Sequence, residues 1–122
     1  MTNETLEIIL FGDDNASMFK LPVKKRFPEY TIEFYCTPEE IIEKAKQGKF
    51  KTIITDLNYT KGGEEGFNVL SEVKGCSDIR ILHTGIFRGE EAKMMETAGR
   101  YGATHVVSKN DYETLRKIIE RR

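Results

Sequence analysis

The sequence has almost no charge imbalance, few cysteines and no long apolar run, and each shortage removes a class of function. It carries 19 basic and 20 acidic residues, for a net charge of -1. A chain so balanced has no general electrostatic drive toward nucleic acid or a membrane surface. No apolar stretch approaches the ~20 residues that span a bilayer. Met1-Thr2-Asn3-Glu4-Thr5 lacks the basic and apolar regions of a signal peptide, so a cytoplasmic protein is expected. Cys36 and Cys76 form neither a CxxC pair nor a zinc spacing, and both are read as reduced thiols. His83 and His105 make no His/Cys cluster for a transition metal and are expected as packed or partly exposed strand residues. There is no linker, repeat or low-complexity tract. At 122 residues the chain reads as one domain, 1–122, with no room for an output domain. A domain this size buries a sufficient core without disulfides or metal.

What is present is an alternation of short apolar runs with helical patterns, which predicts βαβ units and a parallel sheet. Thr31-Ile32-Glu33-Phe34-Tyr35 alternates where the other runs do not, as an edge strand with one wetter face would. Thr37-Pro38-Glu39-Glu40 reads as a capping box opening a helix with Ile41, Ile42 and Ala45 on its apolar face and Gly48 as a left-handed stop. Phe67, Leu70 and Val73 mark a helix closed by Gly75. Residues 90–100 supply another, with Ala92, Met95 and Gly99 as its packing side. Asn110-Asp111-Tyr112-Glu113 caps a last helix with Tyr112, Leu115 and Ile119 on one stripe. The first helix, over 16–27, contains Pro22, which predicts a kink or a restart. The basic runs Lys24-Lys25-Arg26 and Arg121-Arg122 are expected to be solvated surface.

Four of the apolar runs end in chemistry. Asp13 and Asp14 follow Leu6-Glu7-Ile8-Ile9-Leu10-Phe11 and Gly12. Asp56 follows Thr52-Ile53-Ile54-Thr55, Thr84 follows Ile79-Arg80-Ile81-Leu82-His83, and Lys109 follows His105-Val106-Val107-Ser108. In open α/β sheets function collects beyond the carboxyl ends of the strands. Carboxylates, a hydroxyl and an ammonium gathered there can bind a hard cation and a phosphoryl group. Asp56 can accept that group as an acyl phosphate. Asp13 and Asp14 can anchor Mg²⁺, which takes oxygen ligands. Thr84 can hydrogen-bond a phosphoryl oxygen, and Lys109 can pair with Asp56 and then with the phosphoryl group.

The order and spacing of these residues, together with the Gly102-Ala103 to Lys109 interval, resemble the receiver domain of two-component response regulators, the family of the chemotaxis regulator CheY. The resemblance covers residues 6–119. It implies an α/β doubly wound, five-stranded parallel sheet in the order 2-1-3-4-5. It implies that Asp14 and Asp56 bind Mg²⁺ directly, Asp13 through a water, and the backbone carbonyl of Asn58 as a further ligand. It implies phosphoryl transfer to Asp56 from a histidine kinase or phosphotransfer protein, and slow autodephosphorylation rather than turnover of a substrate. Signalling would follow by protein contact through the fourth helix, fifth strand and fifth helix (residues 90–100 and 111–122), as a monomer or weak homodimer.

The chain departs from that family at several points. Asn110 follows Lys109 where proline is usual, often in a cis bond. Val106 stands where an aromatic residue usually moves with the switch, and Asn15 replaces an acidic residue. The stretch from Asn58 to Gly66 is long, glycine-rich and lacks the usual proline, which favours mobility. These features define the alternative reading, a degenerate receiver acting as a non-switching scaffold. A flavodoxin-like cofactor binder fits less well, because Gly12-Asp13-Asp14-Asn15 would repel a cofactor phosphate. A haloacid-dehalogenase-type phosphatase would need Asp-x-Asp after the first strand, and the sequence lacks it.

Overall fold

The computed structural model describes residues 6–85 and 89–120. Readings that fall on Met1–Thr5 and on Arg121-Arg122 lie outside the described residues. Strand and helix alternate throughout: β1 Leu6–Gly12, α1 Ala16–Arg26, β2 Ile32–Tyr35, α2 Pro38–Ala45, β3 Phe50–Asp56, α3 Glu65–Glu72, β4 Ser77–Thr84, α4 Glu91–Arg100, β5 His105–Ser108 and α5 Tyr112–Glu120. All neighbouring strands are parallel, and the order is β2-β1-β3-β4-β5. Among the described residues no helix is long and apolar enough to cross a membrane.

Period-two alternation sends each strand's side chains to two faces. Ile9, Phe11, Ile54, Ile79, Ile81 and Val107 meet α1 and α5 through Val23, Phe27, Leu115, Ile118 and Ile119. Leu10 and Ile53 face the other way, toward Ile41 and Ala45 of α2 and Val69 of α3. Leu82 packs with Leu70, Ala98 and Ala103. The central strands are therefore apolar on both faces, whereas β2 has three of its four residues half-buried, as its alternation and edge position predict.

Pro22 neither breaks nor restarts α1, which runs unbroken from Ala16 to Arg26. The carbonyl deprived of its partner belongs to Met18, one turn back, and that residue is 68% exposed. Water can satisfy it, and the burial of Val23 and Phe27 offsets the lost bond.

Other local expectations need correction. In α4 the buried residue is Ala98, with Met94 packed against the same cluster, while Ala92 and Gly99 are exposed. The true stripe is shifted by one residue from the expected one. Gly48 does not take a left-handed conformation, since only Gly62, Gly89 and Gly102 have positive φ among the described residues. The chain leaves α2 instead through Lys46 in the right-handed region. The capping box is present in altered form. Thr37 accepts from the Glu40 amide at 3.1 Å, but the Glu40 carboxylate accepts from Cys36, one residue before the cap. Asp111 caps α5 through the Thr114 amide and hydroxyl, as its position predicts. Cys36 follows β2, Cys76 precedes β4, and both are free thiols.

Candidate phosphoryl-transfer site

Register brings the candidate residues to one edge of the sheet. Gly12 pairs with Thr55, Asp56 with His83, and Thr84 with Ser108. The ends of β1, β3, β4 and β5 are therefore level, and Asp13, Asp56, Thr84 and Lys109 emerge side by side. Lys109 is held by its own amide, which donates to the Thr84 carbonyl at 2.7 Å. No cis peptide bond occurs among the described residues, so the Lys109–Asn110 link is trans.

Asp13 and Asp56 are positioned alike. Asp13 Oδ1 accepts from the Asn15 amide at 2.8 Å, and Asp56 Oδ1 accepts from the Leu57 amide at 2.8 Å. Each carboxylate turns its other oxygen to Lys109, whose Nζ lies 3.1 Å from both. Asp13 Oδ2 is buried and has no aligned hydrogen bond, and the Lys109 ammonium lies 3.1 Å from it. Phe19 lies under the same ammonium, 5.4 Å from ring centroid to Nζ. Asp14 is exposed at the mouth. Asn58 is also exposed, and its side-chain amide donates to the Gly63 carbonyl.

Burial sets the electrostatics. Asp56 is 2% exposed. Desolvation, and after it the charge of Asp13, pushes its pKa up to about 6, although Lys109 and the Leu57 amide oppose the rise. Asp13 is raised as well, again mainly by burial. Burial works against the Lys109 charge, but the hydrogen bond to Asp56 and the charges of Asp13 and Asp56 outweigh it and raise its pKa. His83 is pushed the other way, down to about 4, by burial and by the nearby Lys109 charge. It is therefore a neutral ring at neutral pH, set edge-on against Phe11 and Phe19, with Nδ1 unpartnered. His105 is half-buried and touches Thr104 through Nδ1 at 2.9 Å.

The donor set fits a hard divalent cation. Asp13, Asp14 and Asp56 each offer an oxygen within 4.8 Å of the others. Two of these carboxylates are buried and electrostatically costly, and one buried oxygen has no hydrogen bond. Oxygen donors at this spacing suit Mg²⁺ or a similar ion.

Neighbouring elements fix the main chain of the site. A Cβ on Gly66 would lie 2.1 Å from the Asp56 carbonyl oxygen, so only glycine lets α3 start against this peptide. The Gly66 amide donates to the Leu57 carbonyl at 2.8 Å. The loop between β3 and α3 is tied by Glu65, whose carboxylate accepts from the amides of Tyr59 and Thr60. Of its glycines only Gly62 has positive φ.

Several of these parts had no sequence signal. The sequence predicts the pairing of Lys109 with Asp56 but not its equal approach to Asp13. Nothing in the residue types of Phe19, Thr55 and Tyr59 marks them as neighbours of this site. The glycine at 66 could have been suspected as a close approach, since it follows the strand that delivers Asp56.

Searches against protein-family models and curated proteins give no match. Solved structures match over nearly the whole chain. A CheY-like response regulator receiver domain from Methanospirillum hungatei has 24% identity and a TM-score of 0.71, with 96% of this chain and 94% of that one covered. A response regulator from Clostridium difficile has 18% identity and a TM-score of 0.73, over 97% and 98%. One from Burkholderia pseudomallei, solved with a phosphorylated aspartic acid, a calcium ion and citrate, has 16% identity and a TM-score of 0.76, over 95% and 68%. The fold of this chain is that of the CheY-like response regulator receiver domain.

Proposed function

We propose that the protein is a phosphoryl-accepting receiver in a two-component phosphorelay, with Asp56 as acceptor, Lys109 and Thr84 as the groups that meet the phosphoryl oxygens, and Asp13, Asp14, Asp56 and the Asn58 carbonyl as Mg²⁺ ligands. The observation that carries the reading is the lysine-bridged pair of buried carboxylates, Asp13 and Asp56, 3.1 Å from one ammonium.

The donor is a phosphohistidine on a kinase or phosphotransfer protein. Asp56 Oδ2, released by Lys109, attacks phosphorus, the P–N bond breaks, and the imidazole leaves with its electron pair and takes a proton from solvent. With a pKa of about 6, Asp56 is mainly carboxylate at neutral pH and needs no base. Lys109 moves its charge from Asp56 to the phosphoryl oxygens as Asp56 loses its own. The Thr84 hydroxyl donates to another of them. Bound Mg²⁺ would relieve repulsion among the three carboxylates and offset charge on the incoming group. Water reverses the modification slowly. The protein works in the cytoplasm and signals by contact with another protein, through exposed residues of α4 and α5.

Intact-mass measurement with a small acyl-phosphate donor tests this. One phosphoryl adduct should form with Mg²⁺, fail to form with chelator and be lost in Asp56→Asn. An equal adduct in Asp56→Asn would remove Asp56 as acceptor. A chain that binds Mg²⁺ but forms no adduct would favour the scaffold reading, for which Val106 and the trans Asn110 speak. Mg²⁺ at about 100 times its dissociation constant should stabilise the fold by about 2.7 kcal/mol, and Asp14→Ala should lose most of that gain.

A further inference from the structure

We propose that Tyr59 is a positioning residue of this site, whose hydroxyl fixes the main chain that carries Asp56 and Asn58. The inference rests on the receiver reading above. The Tyr59 ring lies in the cluster of Leu10, Ile41, Ala45 and Val69, and it is 6% exposed. A phenylalanine would satisfy that packing. The hydroxyl has a separate role.

Thr55 Oγ1 donates to the Asp56 carbonyl at 2.9 Å. Its single hydrogen is thereby used. The 2.8 Å contact between Thr55 Oγ1 and Tyr59 Oη must then have the phenol as donor. A directed chain results, from Tyr59 Oη–H to Thr55 Oγ1–H to the Asp56 carbonyl oxygen. It begins three residues after Asp56 and ends on Asp56, so it closes the turn that holds the acceptor and Asn58. The Tyr59 amide is held independently by the Glu65 carboxylate at 3.1 Å. The hydroxyl also reaches β1, since a Cβ on Gly12 would lie 2.2 Å from Oη. Gly12 immediately precedes Asp13. Tyr59 therefore sits across the ends of the two strands that deliver the buried carboxylates.

Tyr59→Phe and Thr55→Val each remove one link while keeping shape. Both should raise the Mg²⁺ concentration at half-maximal adduct formation about five- to tenfold, with the rate at saturating Mg²⁺ within about twofold. The midpoint of the Mg²⁺-induced melting shift should move equally. The double variant should move no further than either single one, because both cut the same chain. A purely structural role would lower the melting temperature and leave the Mg²⁺ midpoint unchanged. That outcome, in a native chain that does bind Mg²⁺ and form the adduct, overturns this inference alone. A native chain with neither metal response nor adduct overturns the receiver reading and this inference with it. If Tyr59→Phe does not fold, Thr55→Val decides by the same midpoint.

Discussion

Lys109 lies as close to Asp13 as to Asp56, at 3.1 Å from each. The two carboxylates are almost fully enclosed, whereas the lysine side chain keeps 24% of its surface exposed. One cation is thus shared by two fixed anions. Removing it leaves both charges uncompensated in a poorly solvated place, and breaking such a pair costs more than the pair itself contributes. Lys109→Met should destabilise the metal-free protein by about 2–4 kcal/mol and push the Asp56 pKa higher still. Mg²⁺ should restore much of the loss, since an ion at the same carboxylates replaces the missing charge. Melting with chelator and with Mg²⁺ checks this. An equal loss in both conditions would assign the effect to lost packing against Phe19.

The raised pKa of Asp56 makes a second prediction, for metal-free protein. Its folded value is about 6 against an ordinary 3.8. The folded state holds a proton more tightly than the unfolded one, so the stabilising contribution is full below about pH 4 and is lost as pH rises through about 6. Above that, an ionised Asp56 costs stability. The full shift corresponds to about 3 kcal/mol. Asp56→Asn keeps the oxygen that accepts from Leu57 and removes the charge. It should melt a few degrees above the native chain at pH 7.5 with chelator, and the gain should vanish by pH 4. A variant less stable at pH 7.5 would mean that the pairing with Lys109 outweighs desolvation.

Two glycines on α3 and just beyond it should respond oppositely to alanine. Alanine gains about 1 kcal/mol in helix propensity over glycine. At Gly66 the new methyl would meet the Asp56 carbonyl oxygen at 2.1 Å and the Leu57 Cα at 2.6 Å, which are backbone atoms and cannot rotate away. Overpacking of this kind costs about 1–3 kcal/mol or more, so the clash should win, and Gly66→Ala should both destabilise and slow adduct formation. Gly75 has nothing within 4 Å and no positive φ. Gly75→Ala should stabilise by about 0.4–1 kcal/mol with activity unchanged. Chemical denaturation of both variants tests the pair.

These cases also divide what the sequence made legible from what it did not. Strand order and the residues at strand ends are legible because apolar runs and turn residues recur with a fixed rhythm, which places Asp13, Asp56, Thr84 and Lys109 at the same edge of the sheet. The helix stripe of α4 is ambiguous in sequence because Ala92 and Gly99 are small enough to sit on either face, while Ala98 is buried through packing with Leu82 and Leu70. Pro22 was ambiguous because its cost depends on whether the orphaned carbonyl reaches water, which is a tertiary fact. Tyr59 and Thr55 were silent because residue type does not reveal which hydroxyl faces which carbonyl.

The last prediction concerns the way a change at Asp56 would spread. Val106 pairs with Leu82 across β4 and β5 and lies half-buried against the cluster of Leu57, Phe67, Leu70 and Leu82. Valine has one strongly restricted torsion and no polar tip. It cannot swing a large ring between core and solvent as the Thr84 end of β4 moves. Phosphorylation should still draw the Thr84 hydroxyl toward Asp56, but the shift should fade along β5. Coupling would pass instead through backbone: the Lys109 amide that donates to the Thr84 carbonyl, and the loop tied by Glu65 beyond Asp56. Val106→Tyr should therefore leave the rate of adduct formation within a few-fold while enlarging the phosphorylation-dependent change on the β5 face. Amide exchange on both proteins, with and without donor, measures it. A native chain that already shows a full change on that face, with no increase from tyrosine, would mean that backbone movement alone carries the signal and that the small residue at 106 weakens nothing.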